Sequence, residues 1–210
     1  MRNAIGLALA AMSLGLTCSS YHTFSTKQPE NLDQMVQRQF SKKNVIFWDE
    51  DVVLGWDDFE LSFKTKQSYH AQSATGIYSF WNCDSGKFEF IVGSVFDRDG
   101  SWVMNWVRYD TRRKGFLLNH EQSHFDLTEV YARRIRRTLS GLKQPCTLSR
   151  EILNGIVNRF IEEFQEEEKR YDQETDHGLD EDKQFAWNQR IYQELRDLEK
   201  FKLRKYSFVL

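Results

Sequence analysis

Apolar residues between positions 116 and 135 recur at helical spacing. Phe116, Leu117, Leu127, Tyr131 and Ile135 share one face, and Gln122, Glu129, Arg133 and Arg136 fall opposite. This predicts a long amphipathic helix whose polar face, Arg cluster included, is solvated, and which ends at Ser140-Gly141 and Lys143-Gln144-Pro145. A second long helix begins near Ser149, a suitable N-cap, with Ile152, Ile156, Phe160 and Phe164 as its apolar stripe. Helical steps along that stripe bring Glu168, Tyr171, Asp172 and Thr175 towards the same side before Asp176-His177-Gly178 ends the pattern. Polar groups thus arrive where core residues are expected. A third helix, over roughly 182–200, is expected to pack through Phe185, Trp187, Ile191, Leu195 and Leu198.

Upstream of these helices the period changes to two. Residues 75–81, 87–96 and 101–107 read as three strands of an antiparallel meander, separated by Asp84-Ser85-Gly86 and by Asp97-Arg98-Asp99-Gly100. Shorter runs at 44–47 and 54–59 read as strand and turn, with Trp56 and Phe59 as core anchors. Residues 21–41 are polar and lack sustained periodicity, so they read as a tether or a loosely packed lead-in. The expected class is α+β: a small antiparallel sheet packed on a long helical hairpin, with a C-terminal helix added.

The chain has 210 residues and a net charge of −2 with balanced signs, which fits a single domain and argues against nucleic acid as the main partner. Arg2 followed by an apolar run from Ala4 to Leu16 reads as an export signal, too short to span a bilayer. Gly15-Leu16-Thr17-Cys18 loosely resembles a lipobox, so Cys18 is a candidate for lipidation and a membrane tether; the alternative is an ordinary cleaved leader. The expected division is a signal at 1–18, a lead-in at 19–43 and one domain at 44–210, in a protein exported to the periplasm or cell envelope. Cys83 and Cys146 then remain, either as a disulfide or as two buried thiols. Nothing in the sequence fixes the oligomeric state.

The first long helix carries His120-Glu121-Gln122-Ser123-His124. At about 100° per residue, His124 lies only about 40° round from His120, so two imidazoles can hold one metal ion and Glu121 flanks the same groove. Zinc is the expected ion, with Glu121 as general base; the alternative makes each His a core residue bonded to a carbonyl. A catalytic zinc usually takes three protein ligands, so a third must come from elsewhere. Glu129 is a poor candidate, about 180° round the helix from His120. Counting down an antiparallel helix pair puts Glu168 near the level of the histidines and Asp172 one turn further.

Several blocks resemble a family of bacterial proteins of unknown function catalogued as predicted secreted zinc-dependent proteases. They are Trp56-Asp57-Asp58-Phe59, Ser101-Trp102-Val103, residues 118–126 (Leu-Asn-His-Glu-Gln-Ser-His-Phe-Asp) and residues 171–178 (Tyr-Asp-Gln-Glu-Thr-Asp-His-Gly), with Gln184 and Trp187 downstream. The resemblance implies a zincin-like fold, and it brings His177 forward as third ligand, ahead of Asp172 and Glu168. In zinc peptidases a strand beside the motif helix often pairs with substrate, and Ser101-Trp102-Val103 is placed to be that edge or an ordinary buried strand. The expected reaction is hydrolysis of a protein or peptide substrate, with Glu121 moving the proton and Tyr171 or Tyr131 steadying the oxyanion. Asp176 or Glu174 is expected to orient a ligand imidazole. Two other classes stay open: an amidase acting on peptidoglycan peptides, and a non-catalytic envelope lipoprotein with a structural metal.

Overall fold

A computed structural model describes residues 31–63, 69–84 and 86–209. The export signal, Cys18 and the lead-in up to residue 30 lie outside the described residues. Among the described residues, no helix is long and apolar enough to cross a membrane.

Four helices and two small sheets make up the described chain, so the class is α+β. The first sheet is built on a hairpin of β4 (Thr75–Asp84) and β5 (Lys87–Asp97), turned at Gly86 with φ +75°, a backbone angle that glycine adopts without a Cβ penalty. On the other side of β5, β1 (Val45–Phe47) pairs antiparallel with residues 95–97, and β7 (Lys205–Val209) with residues 87–91. The second sheet has the order β2-β6-β3, with β2 (Glu60–Ser62) parallel and β3 (Ala71–Gln72) antiparallel to β6 (Trp102–Met104).

This corrects the three-strand meander. The run at 101–107 leaves the hairpin sheet because β1 and β4 already flank the C-terminal half of β5. Ser101 makes the turn: its amide donates to the Asp97 carbonyl at 3.0 Å, and its hydroxyl accepts from the Ala74 amide at 2.8 Å. Beyond Met104 the chain winds into a 3-10 helix, Asn105–Tyr109, instead of continuing as strand. Strand β6 is therefore the centre of its sheet, with neighbours on both sides, and the edge role expected of Ser101-Trp102-Val103 does not hold.

Helix α2 (Lys114–Ser140) runs through the middle of the molecule. The sheet covers one side of it, and α3 (Arg150–Thr175) and α4 (Glu181–Asp197) cover the other. Ser149 caps α3 as expected, its hydroxyl accepting from the Ile152 amide, and Asp180 caps α4 through the Lys183 amide. The buried stripe of α3 is Leu153, Val157, Phe160, Ile161 and Phe164, one position round from the expected one at its start, so Ile152 is about half exposed. Likewise Phe116 and Phe185 are exposed, whereas Trp187 and Ile191 pack inside. Helix α1 (Leu32–Phe40) differs more from the expectation. It has a capping box at Asn31 and buries Leu32 and Phe40 with Tyr78, Phe80, Ile91 and Val95, so this helix belongs to the folded body.

The expected solvated face of α2 is overturned as well. From Leu127 to Arg136 every residue but Arg134 is buried. The Glu129 carboxylate accepts from Ser94 Oγ at 2.7 Å, from Arg133 Nε at 3.0 Å and from Arg136 Nη2 at 2.8 Å. Arg136 also donates to the Val92 carbonyl and Arg133 to the Leu195 carbonyl, so the network ties α2 to β5 and to the end of α4. A helix enclosed on both sides must pair its buried charges, and here Glu129 at i is shared by Arg133 at i+4 and Arg136 at i+7, with backbone carbonyls taking further guanidinium donors.

Cys83 and Cys146 form a disulfide, with Cα atoms 5.7 Å apart, joining the tip of the β4-β5 hairpin to the turn between α2 and α3. The bridge closes a sequence separation of 63 residues. In the chain-entropy view this contributes on the order of 4 kcal/mol. Reduction is expected to lower the thermal midpoint by roughly 10 °C, read by circular dichroism with and without reductant. An unchanged midpoint would mean the unfolded chain gains little freedom when the bridge is opened.

Candidate metal centre

Residues of α2 and the last two turns of α3 meet under α4. The helical spacing puts His120 and His124 on the same face, their ring centroids 4.7 Å apart and nearly perpendicular. Their Nε2 atoms lie 3.2 Å from each other. Asp172 Oδ1 lies 3.1 Å from Nε2 of His120 and 3.0 Å from Nε2 of His124. Glu168 Oε1 stands on the far side of the second ring, 3.2 Å from Nδ1 of His124. The level counting brings both carboxylates to the histidines but reverses their places: Asp172 meets both rings, and Glu168 meets His124 alone.

These groups shape one another's protonation. Burial opposes a charge on His124, but Asp172 and Glu168 outweigh it and hold its pKa well above that of an ordinary imidazole. Burial would likewise raise the Asp172 pKa, yet the His124 charge and the hydrogen bonds from His120, His124 and His177 hold it far below the usual carboxylate range. Burial raises the Glu168 pKa and pushes the Tyr171 phenol well up, so the phenol stays protonated.

The donor set fits a divalent cation. His120 Nε2, His124 Nε2 and one Asp172 oxygen are the only group of three or more His, Cys, Asp or Glu ligand atoms found together among the described residues, all within 4.8 Å of one another. Two imidazole nitrogens and one carboxylate oxygen are a usual zinc set with room for a further ligand. Glu121, which follows His120 in the helix and whose charge acts on Glu168 and Tyr171, is buried to 2 %, and its Oε2 has no hydrogen-bond partner. A buried carboxylate oxygen left unpaired is costly, and a neighbouring cation and water would relieve it. Exposure rises from 2 % for the His120 side chain to 18 % for Asp172 and 37 % for His177, so access from solvent is on the Asp172 side.

Other expected site residues are placed differently. His177 does not join the three converging atoms; its Nδ1 lies 3.6 Å from Asp172 Oδ1, and its ring stacks on Tyr69 at 5.3 Å. The reason is the backbone. Asp176, His177 and Gly178 all have positive φ, which ends α3 sharply and turns His177 towards the mouth of the site. Tyr171 is fully buried, stacks on the His120 ring at 4.6 Å and donates its hydroxyl proton to the His120 carbonyl at 3.1 Å, so it braces His120 from inside the fold. Tyr131 packs against Phe164 away from the site. Glu174 accepts from Trp187 Nε1 and so fixes α4 to α3. Asp176 caps α3.

Sequence reasoning gave no role to Gln184, whose Oε1 lies 3.0 Å from His120 Nδ1, or to Thr175, whose hydroxyl lies 3.4 Å from the same nitrogen. One signal was available: Gln184 interrupts the apolar stripe that Trp187 and Ile191 continue along α4. Gly178 has a more direct part. A Cβ at this position would come within 2.7 Å of His120 Cβ, and its φ of +80° already disfavours a side chain. Gly178→Ala is expected to cost about 2 to 4 kcal/mol and to push His120 off its position. Denaturant unfolding checks the first effect and zinc titration the second; an unchanged zinc affinity would separate the turn from the site.

The comparisons with known proteins bear on this same region. Residues 98–178 match a family model described as "Bacterial protein of unknown function (DUF922)". The chain is similar to that family from the turn before β6 to Gly178, a stretch that holds His120, Glu121, His124, Glu168, Asp172 and His177 and leaves out Gln184. The description names no activity. No curated protein and no solved structure matches the chain.

Proposed function

We propose that this protein is a zinc-dependent metallopeptidase of the bacterial cell envelope, with His120, His124 and Asp172 as the metal-holding residues and a zincin-like arrangement of motif helix and sheet. The observation that carries the reading is the convergence of three ligand atoms at 3.0 to 3.2 Å beside an unpaired, buried glutamate oxygen. A satisfied structural histidine pair would not need that glutamate.

When bound, zinc would supply Lewis acidity towards the scissile carbonyl and lower the pKa of water. The remaining work falls to the chain. Glu121 Oε2, with no competing donor, takes a proton from the attacking water and passes it to the leaving nitrogen. Glu168 holds the His124 ring from its outer edge at Nδ1, while Asp172 Oδ1 meets both rings at their converging Nε2 atoms. His177, stacked on Tyr69, borders the opening through which substrate enters. The Cys83–Cys146 disulfide supports export, because such bridges persist in oxidising compartments. Cys18 is the residue that would carry a lipid tether.

The test is turnover by the zinc-loaded mature protein on quenched peptides and on purified peptidoglycan peptides. Hydrolysis that a chelator abolishes and zinc restores is expected on general peptides. Hydrolysis confined to cell-wall peptides would select the amidase reading, and none on either, with metal bound, would leave a structural metal protein.

A further inference from the structure

We propose that Gln184 is a positioning residue: its side-chain carbonyl accepts the Nδ1–H of His120 and keeps the proton on that nitrogen, so that Nε2, which bonds Asp172 in the metal-free site, is the nitrogen left to hold a cation beside His124 and Asp172. The inference rests on the metal-binding reading above and assigns α4 a part in it. An imidazole has two nitrogens, and only the one without a proton can hold a cation. Which one that is depends on what the other nitrogen meets.

For His120 the partner is Gln184 Oε1 at 3.0 Å, from a side chain buried to 3 %. The amide is itself fixed. Its Nε2 lies 2.7 Å from Asn188 Oδ1 and 2.7 Å from the Tyr171 hydroxyl. Asn188 in turn accepts from Ser123 Oγ at 2.9 Å and donates to Asn119 Oδ1 at 3.2 Å. Gln184 and Asn188, one helical turn apart on α4, therefore grip α2 at Asn119, His120 and Ser123. A polar pair here serves no obvious packing purpose, since Trp187 and Ile191 already supply the apolar contact. Thr175 Oγ1, at 3.4 Å, is a longer alternative acceptor, so loss of Gln184 should weaken the arrangement without abolishing it.

Zinc affinity, measured by competition with a chromophoric chelator, tests the proposal. Gln184→Met keeps the volume and removes the acceptor, and is expected to bind zinc 10- to 100-fold more weakly, by analogy with other second partners of ligand histidines. Gln184→Glu restores an acceptor oxygen and is expected to return most of that affinity. If wild type binds zinc and Gln184→Met binds it equally well, the assignment is wrong; if wild type binds none, the metal reading itself fails. Should Gln184→Met not fold, nitrogen-15 spectra of zinc-loaded wild type decide the matter. His120 protonated at Nδ1 is the expected state, and zinc bound through Nδ1 would overturn the proposal.

Discussion

Glu121→Gln is expected to keep zinc at the wild-type level and to lower peptide hydrolysis by roughly 10²- to 10⁴-fold, the usual range for loss of a positioned proton carrier. The substitution changes shape very little. Glu121 is buried beside the ligand set, its backbone carbonyl already held by Ser73 Oγ at 3.2 Å, so the helix has no cause to move. What disappears is basicity: an amide cannot take the proton from water or return it to the leaving nitrogen. The loss should therefore fall on kcat, with KM little changed. Kinetics on one peptide, with zinc content measured on the same preparation, checks both halves. A variant that turns over near the wild-type rate would remove Glu121 from the chemistry.

The second large effect is on stability. Glu129→Gln is expected to cost about 3 to 5 kcal/mol, because it leaves two buried guanidinium groups, Arg133 and Arg136, without their shared counter-charge. Whole domains are usually stable by only about 5 to 15 kcal/mol, so a sizeable fraction of the fold's margin goes with a single atom exchange. Arg133 retains Glu50 and Glu199 at 3.4 and 3.5 Å, both about half exposed, whereas Arg136 keeps only carbonyl partners. Arg136 should then suffer most. Denaturant unfolding of the metal-free protein measures the cost apart from zinc binding; a change under about 1 kcal/mol would show that water reaches the pair and that the network is less enclosed than it looks.

Helix existence and the site's centre were legible from sequence because both depend on short-range spacing. His120 and His124 must share a face in any helix, and level counting down two antiparallel helices found Glu168 and Asp172. What was not legible depended on which surfaces meet. The polar face of α2 reads as solvated from its own residues alone, and only the presence of α3, α4 and the sheet around it makes Glu129, Arg133 and Arg136 an internal network. The 101–107 run looked like a third meander strand because nothing local reveals that β1 takes the place beside β5. Its motif points to His177 as third ligand, but three consecutive positive-φ residues place it beside Asp172 and outside the three converging atoms. Tyr171 and Tyr131 are the sequence's candidates for steadying the oxyanion, yet the Tyr171 hydroxyl is used on the His120 carbonyl and Tyr131 packs against Phe164. Local sequence reports residue type and phase, and the direction of a side chain at a helix end depends on the turn that follows it.

Metal analysis of the purified mature chain, saturated with zinc and then dialysed, puts the central claim to the most direct test. The account predicts about one ion per chain in wild type and in His177→Ala, with the ion lost in His120→Ala and in Asp172→Ala. Wild type without metal, or an ion that survives Asp172→Ala and is lost with His177→Ala, would contradict it.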